Sequence, residues 1–245
     1  MYFHDYFKLS LNYSTCHTII SEMSISVVVP CYNEKDYIFT CLDALFKQSY
    51  QALEVIVVDN NSSDNSVSIA KRFPVKIVKE KRQGMIFARN HGFNMARGDV
   101  IARLDADCRA PVDWLATINR HFTDKTVDAV TGPIVYYDKK WQNTFSSLAI
   151  AAFFRLVLHN KETLFGANMA LTAKTWKKIA DIVCLDDKAV HEDLDLALHI
   201  HQDGGKIIFT KDLLMNASAR RQKQNPASFY FEYPYRGLKT LQTHI

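Results

Sequence analysis

Four short apolar runs at 25–30, 53–59, 75–78 and 100–104 constrain this chain more than any other feature. Each is rich in β-branched residues, and the hydrophobicity is continuous rather than alternating. That pattern belongs to strands buried on both faces, as in a parallel sheet. Helical periodicity separates the runs. Ile38, Leu42, Leu45 and Phe46 share one face behind Asn33, a candidate N-cap. Val67, Ala70 and Phe73 repeat the pattern after the turn-rich segment 60–64, and 85–97 forms a third helix that Gly98 is placed to end. The order β-α-β-α-β-α-β predicts an α/β fold with a doubly wound, mostly parallel sheet flanked by helices.

Beyond residue 107 the regularity loosens. Pro111 can open a helix over 112–122, and 127–136 reads as one strand. The segment 141–160 predicts a long apolar helix whose uninterrupted core, 148–154, falls far short of the about 20 residues a membrane span needs. Arg155 interrupts it, so a core or interface helix is expected rather than one lying on a bilayer. A helix over 193–203 closes on Gly204-Gly205, and a strand follows over 206–210. With no repeat, linker or low-complexity tract, a single domain over 25–222 is expected. Ahead of it stands an extension, 1–24, expected to be poorly ordered or not native; behind it stands an aromatic tail, 223–245. The extension has no apolar h-region and no basic start, so it is no secretory signal, and Met23 offers an alternative start. The five cysteines include no CxxC pair, which predicts free thiols and a reducing cytosol. A formal charge of +4 falls short of a nucleic-acid footprint.

The chemistry-bearing residues gather at strand ends. Asp105 and Asp107 sit at i and i+2 of an extended segment and face one spot. Two carboxylates at the exit of a buried strand suit a hard divalent cation that shares its shell with phosphates. Polar groups also end the first two strands, at 30–34 and 59–64. One acidic strand end is ordinarily a turn or a cap. Three along the carboxyl edge, where open parallel sheets bind ligands, point to a nucleotide. Asp59 could accept from a base imide or a ribose hydroxyl, and Tyr32 could stack on a base. Neither GxGxxG nor a P-loop is present, so phosphate would need a metal on Asp107 and basic side chains. Arg89, Arg220 and Arg221 are available, although Arg89 also fits a solvated helix face. The run His191-Glu-Asp-Leu-Asp195 begins a helix, where acids favour the dipole. It reads as a cap or as a general base offered to an acceptor hydroxyl. His191, Asp195 and His199 share a helix face, but HExxH is not met and no zinc site is expected there. Gly166-Ala-Asn168 marks a close approach of backbone to another group.

Together these residues resemble the family 2 glycosyltransferases, which have the GT-A fold. The matching pieces are Val27-Val-Val-Pro-Cys-Tyr-Asn-Glu34, Glu54-Val-Ile-Val-Val-Asp59 with Asn61-Ser-Ser-Asp64, and Gly84 with Ala88-Arg-Asn-His-Gly92. They continue through Ala96-Arg-Gly-Asp99, Leu104-Asp-Ala-Asp107, Gly166-Ala-Asn168 and Glu192-Asp193. The resemblance implies inverting transfer of one sugar from a nucleotide-sugar, a UDP-sugar by the family's commoner usage, with Mg2+ or Mn2+ as cofactor. It places Pro30, Tyr32, Glu34, Asp59, Arg89 and Asp105 at the donor, and Asp107, helped by Asp105, at the metal. Gly166, Asn168 and Glu192 fall on the acceptor side, and Asp193 is the base. The expected acceptor is a carbohydrate or lipid-linked hydroxyl in cell-surface polysaccharide, glycolipid or glycoconjugate synthesis. The expected place is the cytoplasm, with peripheral contact at the inner face of the membrane. The QxxRW motif of processive synthases is absent, and Arg220-Arg221-Gln222 is a loose substitute. A nucleotidyltransferase and an inactive nucleotide-sugar-binding protein are the competing readings.

Overall fold

All four early apolar runs fold as strands: β1 (Ile25–Cys31), β2 (Glu54–Asp59), β3 (Lys76–Lys79) and β4 (Val100–Arg103). They alternate with α1 (Ile38–Phe46), α2 (Ser66–Ala70) and α3 (Met85–Met95). The computed structural model describes residues 22–139, 144–187, 189–220 and 232–244. The later elements are α4 (Trp114–His121), β5 (Ala129–Thr131), β6 (Ile134–Tyr136), α5 (Phe145–Val157), β7 (Met169–Thr172) and α6 (Ala173–Ile179). The last are α7 (Glu192–Gln202), β8 (Ile207–Phe209), β9 (Met215–Ala217) and α8 (Tyr233–His244).

The main sheet has the order β3-β2-β1-β4-β7-β5-β8. Every neighbouring pair is parallel except the two that β7 makes, with β4 and with β5. Both faces are covered, which explains the continuous apolar runs. Val27 and Val29 face one core with Ile38, Leu42, Trp114 and Ile118, while Val28 faces another with Phe93, Trp176 and Leu196. Each such side chain taken fully out of water contributes about 1.5–3 kcal/mol.

Register decides what meets at the carboxyl edge. Cys31 is level with Asp59, and Val28 with Arg103, so Asp105 emerges beside Pro30. On its other side, the Arg103–Met169 pairing brings Gly166 and Ala167 next to the same aspartate. The three polar strand ends and the Gly166 loop therefore reach one edge through strand order alone.

Several local expectations are corrected. The single strand over 127–136 is two, β5 in the main sheet and β6 paired with β9 in a small second sheet. They part at Gly132-Pro133, where a Cβ on Gly132 would lie 2.0 Å from the Leu213 carbonyl oxygen and Pro133 has no N–H to give a ladder. Asn33 is no N-cap; it sits at φ 55 and its Oδ1 accepts from the Ser63 N–H, tying together the loops after β1 and β2. Helix α3 ends at Met95, before Gly98, where Ala96 turns extended. Of the core and interface readings of helix α5, the core one is corrected: Ala151 is buried, but Phe145, Ile150, Phe153 and Leu156 are exposed. The tail ends in α8, which docks on α7 through Leu241, beside Leu194 and Leu198. The extension lies outside the described residues up to 21, as does Cys16; the other four cysteines are free thiols.

Candidate active site

Two cavities open along the carboxyl edge and share Asp105 and Met85. The larger, of 270 Å³, is lined by Pro30, Tyr32, Glu34, Asn60 and Arg220 among others. The smaller, of 150 Å³, is lined by Arg103, Gly166, Glu192, Asp193 and Arg236 among others.

Arg103 organises the smaller cavity. It is 1% exposed at the carboxyl end of the apolar strand β4, and a buried guanidinium needs anionic partners. Its Nη2 donates to Asp105 Oδ1 at 3.2 Å and to Glu192 Oε1 at 2.8 Å, while Nη1 faces Asp193 Oδ1 at 3.5 Å. Arg89 backs the same cluster from α3, donating through Nη1 to the Glu192 carbonyl at 2.9 Å and to its carboxylate at 3.2 Å. Although burial alone would raise it, Arg103 and Arg89 hold the Glu192 carboxyl well below the usual carboxylate range. Asp193 goes the other way: burial and then the neighbouring Glu192 charge push it up, against the opposing pull of Arg103. Two adjacent carboxylates thus sit in opposite states of readiness, one a fixed anion and the other poised to take a proton.

Asp193 is aimed as well as tuned. Its Oδ2 accepts the Gly166 N–H at 2.8 Å, and 15% of its side chain stays open to the cavity. Only glycine fits opposite it: a Cβ at 166 would lie 2.4 Å from Asp193 Oδ1 and 2.9 Å from both terminal nitrogens of Arg103.

The larger cavity is built by cross-tied loops. Glu34 N–H donates to Ser66 Oγ at 2.6 Å, and Asn60 Nδ2 donates to the Glu80 and Arg82 carbonyls at 3.1 and 2.7 Å. Arg220 bridges its acidic wall, donating through Nε to Asp107 Oδ2 at 2.9 Å and through Nη2 to Glu34, with its guanidinium over the Tyr37 ring. The Cys31 thiol beside it is pushed by burial up to about 12, and burial holds Cys41 and Cys108 well above the ordinary thiol value.

Most of the residues singled out from sequence converge: Pro30, Tyr32, Glu34 and Asp105 on one cavity, Asp105, Gly166, Glu192 and Asp193 on the other. Others do not. Arg89 is fully buried and pinned on Glu192, so it supports the acid cluster rather than facing phosphate. Asn168 is fully buried too: it accepts from Trp114 Nε1 at 2.9 Å and donates to the Pro133 and Leu213 carbonyls, so it braces the loop and faces no acceptor. Asp59 lies under the larger cavity, 6% exposed, with Oδ1 accepting the Ser62 N–H at 2.9 Å; its neighbour Asn60 lines the wall. Asp107 is 6% exposed behind Arg220. Arg221 lies outside the described residues. The residue that sequence reasoning missed is Arg103. Its signal was a charge inside the apolar run 100–104, two residues before Asp105.

The family model described as Glycosyl transferase family 2 matches residues 26–184, more than half of the chain. The chain belongs to that family. Among its relatives, glycosyltransferase GlyG of Streptococcus pneumoniae is 33% identical over 127 residues, covering 49% of this chain and 42% of that protein. The uncharacterized glycosyltransferase YibD of Escherichia coli is 26% identical over 220 residues, 86% of this chain and 62% of that one. The chain therefore spans less than two thirds of the length of these relatives. Among solved structures, the mannosyltransferase PcManGT of Pyrobaculum calidifontis, in complex with GDP-Man and Mn2+, superposes with a TM-score of 0.71 at 23% identity, covering 91% of this chain and 64% of that one. Staphylococcus aureus TarS in complex with UDP-GlcNAc gives 0.65 at 20% identity, over 81% and 59%. These likenesses establish the GT-A type of fold for this family member, a mostly parallel sheet flanked by helices.

Proposed function

We propose that the chain transfers one sugar, with inversion, from a nucleotide-sugar donor in the larger cavity to an acceptor hydroxyl in the smaller. The observation that carries this reading is Asp193: an aimed carboxylate, pushed up toward readiness as a base, across the shared Asp105 from the nucleotide-sized cavity. In a single displacement the base and the leaving diphosphate stand on opposite sides of the reacting carbon. The two cavities offer that separation.

Asp193 takes the acceptor proton at a carboxylate oxygen as the new bond forms, while Gly166 and Arg103 keep the other contacts of that carboxylate in place. Asp105 marks the junction where the anomeric carbon would lie. Tyr32, Pro30 and Glu34 line the space for base and ribose. For the metal, the donor set fits. Asp107 and Glu34 already gather around a cation, the Arg220 guanidinium, and carboxylate oxygens suit Mg2+ or Mn2+. Asp107 with Asp105 would hold the ion, and the chemistry supplied there is neutralisation of charge growing on the diphosphate. Arg220 adds a second positive group at the same wall. The mannosyltransferase neighbour, with its GDP-Man and Mn2+, supports a donor and a cation of this class.

A carbohydrate or lipid-linked acceptor is part of the proposal. Among the described residues no helix is long and apolar enough to cross a membrane. The exposed apolar residues of α5 support peripheral contact with a lipid surface. The deciding experiment follows the leaving group from candidate donors with Mn2+. Release of nucleoside diphosphate is expected, with Asp193→Asn retaining donor binding but losing about 10²–10⁴-fold in transfer. Pyrophosphate release would indicate a nucleotidyltransferase. Donor binding without turnover would indicate a binding protein, and normal turnover in D193N would remove Asp193 from its role.

A further inference from the structure

Helix α7 has a second polar face, turned away from Asp193. There Asp195, fully buried, meets His199 one turn along and His244 from the end of α8. The three atoms that converge are Asp195 Oδ1, His199 Nε2 and His244 Nε2, with separations of 3.5, 3.2 and 3.3 Å. Ligands about 2.0–2.2 Å from a tetrahedral zinc ion stand about 3.3–3.6 Å apart, so the triangle has the dimensions of one face of such a site. Outer contacts support two of the three ligands, while His199 Nδ1 is buried without a protein partner among the described residues. His244 Nδ1 lies 2.9 Å from the Thr240 carbonyl, which fixes its proton there and leaves the Nε2 lone pair directed inward. The Cys184 N–H holds Asp195 Oδ2 at 3.0 Å, leaving Oδ1 for the cluster. Two imidazole nitrogens and a carboxylate oxygen thus face one point.

We propose that Asp195, His199 and His244 form a binding site for a divalent first-row cation of the zinc class, with water as fourth ligand. The sequence argues against metal on this helix because the partner it offers, His191, is the wrong one. His244 arrives only through the docking of α8. The site would fasten α8 to α7. That helix also receives the His191 N–H on Thr240 Oγ1 at 2.7 Å and donates from Arg236 to the Asp187 carbonyl at 2.6 Å, so the clamp steadies the loop that borders the smaller cavity. It is separate from the Asp105–Asp107 pair and does not depend on the glycosyl-transfer reading.

The test loads the full chain with Zn2+, removes excess by dialysis and measures metal content, beside Asp107→Ala, His199→Ala and His244→Gln. Retention of one Zn2+ by wild type and D107A, and its loss in both histidine variants, is the expected result. At about a hundredfold excess over Kd, Zn2+ should raise the wild-type Tm by about 5–10 °C and that of H244Q not at all. Co2+ should give the visible bands of a four-coordinate ion in wild type only. Because glutamine keeps a polar side chain that can hydrogen-bond in the same place, H244Q is expected to fold. Zinc retained by folded H244Q, or absent from D107A, would overturn the site and leave the three side chains as a hydrogen-bonded cluster.

Discussion

Gly166→Ala is the most searching perturbation of the proposed site, because it adds one methyl group and removes no charged group. The new Cβ would lie 2.4 Å from Asp193 Oδ1, whereas ordinary contact begins at 3.4 Å. The carboxylate must retreat by the difference, about 1 Å, and it cannot turn aside freely because Gly166 N–H and Arg103 hold it from two directions. Misplacing a catalytic group by about 1 Å costs about 10²-fold in rate. The expectation is a fall of that order in kcat for transfer. Affinity for nucleoside diphosphate with Mn2+, read by calorimetry, should stay within about twofold, since position 166 does not line the larger cavity. A double-mutant cycle isolates the cause. With Asp193→Asn already present, the alanine should cost little more, because both changes act through one carboxylate. Wild-type kcat in G166A would refute the argument that the glycine exists to seat Asp193. Full additivity with D193N would refute it too.

Arg103→Met should remove the cation that draws Asp193 down, so the proton on Asp193 becomes harder to lose. Activity requires the deprotonated base and disappears as pH falls through its pKa; the acid limb of the kcat profile should therefore move to higher pH, and an unmoved limb would detach Arg103 from the base. The same variant leaves three carboxylates without their shared partner, at a cost of about 3–5 kcal/mol to urea unfolding. Asn168→Ala strands the Trp114 N–H and two buried carbonyls, so a loss of about 3 kcal/mol and a Tm lower by about 6–12 °C are expected, with the KM for donor unchanged. A large KM change at wild-type stability would return Asn168 to the binding surface. Asp107→Ala should abolish the Mn2+-dependent part of nucleoside diphosphate binding; unchanged calorimetric affinity would refute the metal assignment.

The first half of the chain was legible because its signals are local. Continuous β-branched runs need cover on both faces, and helical periodicity supplies it, so β1 to β4 and their helices follow from short stretches of sequence. The strand-end polar residues were readable for the same reason, since a parallel sheet puts every carboxyl end on one edge. The later segments were not, because their signals are split between distant partners. Val127 to Tyr136 looks like one strand until Leu213 crowds Gly132. Met169 to Thr172 is too short a run to be assigned from sequence until β4 and β5 flank it on either side.

For the site, sequence alone supplied Asp105, Asp107 and Asp193 as acids in plausible positions. It could not say that the Asp193 carboxyl would be pushed up while that of Glu192 is held down, because that depends on burial and on charges brought from elsewhere. Tertiary structure decided that by burying the pair and placing Arg103 and Arg89 against them; it also withdrew Asn168 into support and set Arg220 across Asp107 and Glu34. It also joined His244 to His199 across 45 residues of chain, and to Asp195 beside it. Local periodicity specifies elements, whereas the charge states of a buried cluster are a property of neighbours that only the packed chain brings together.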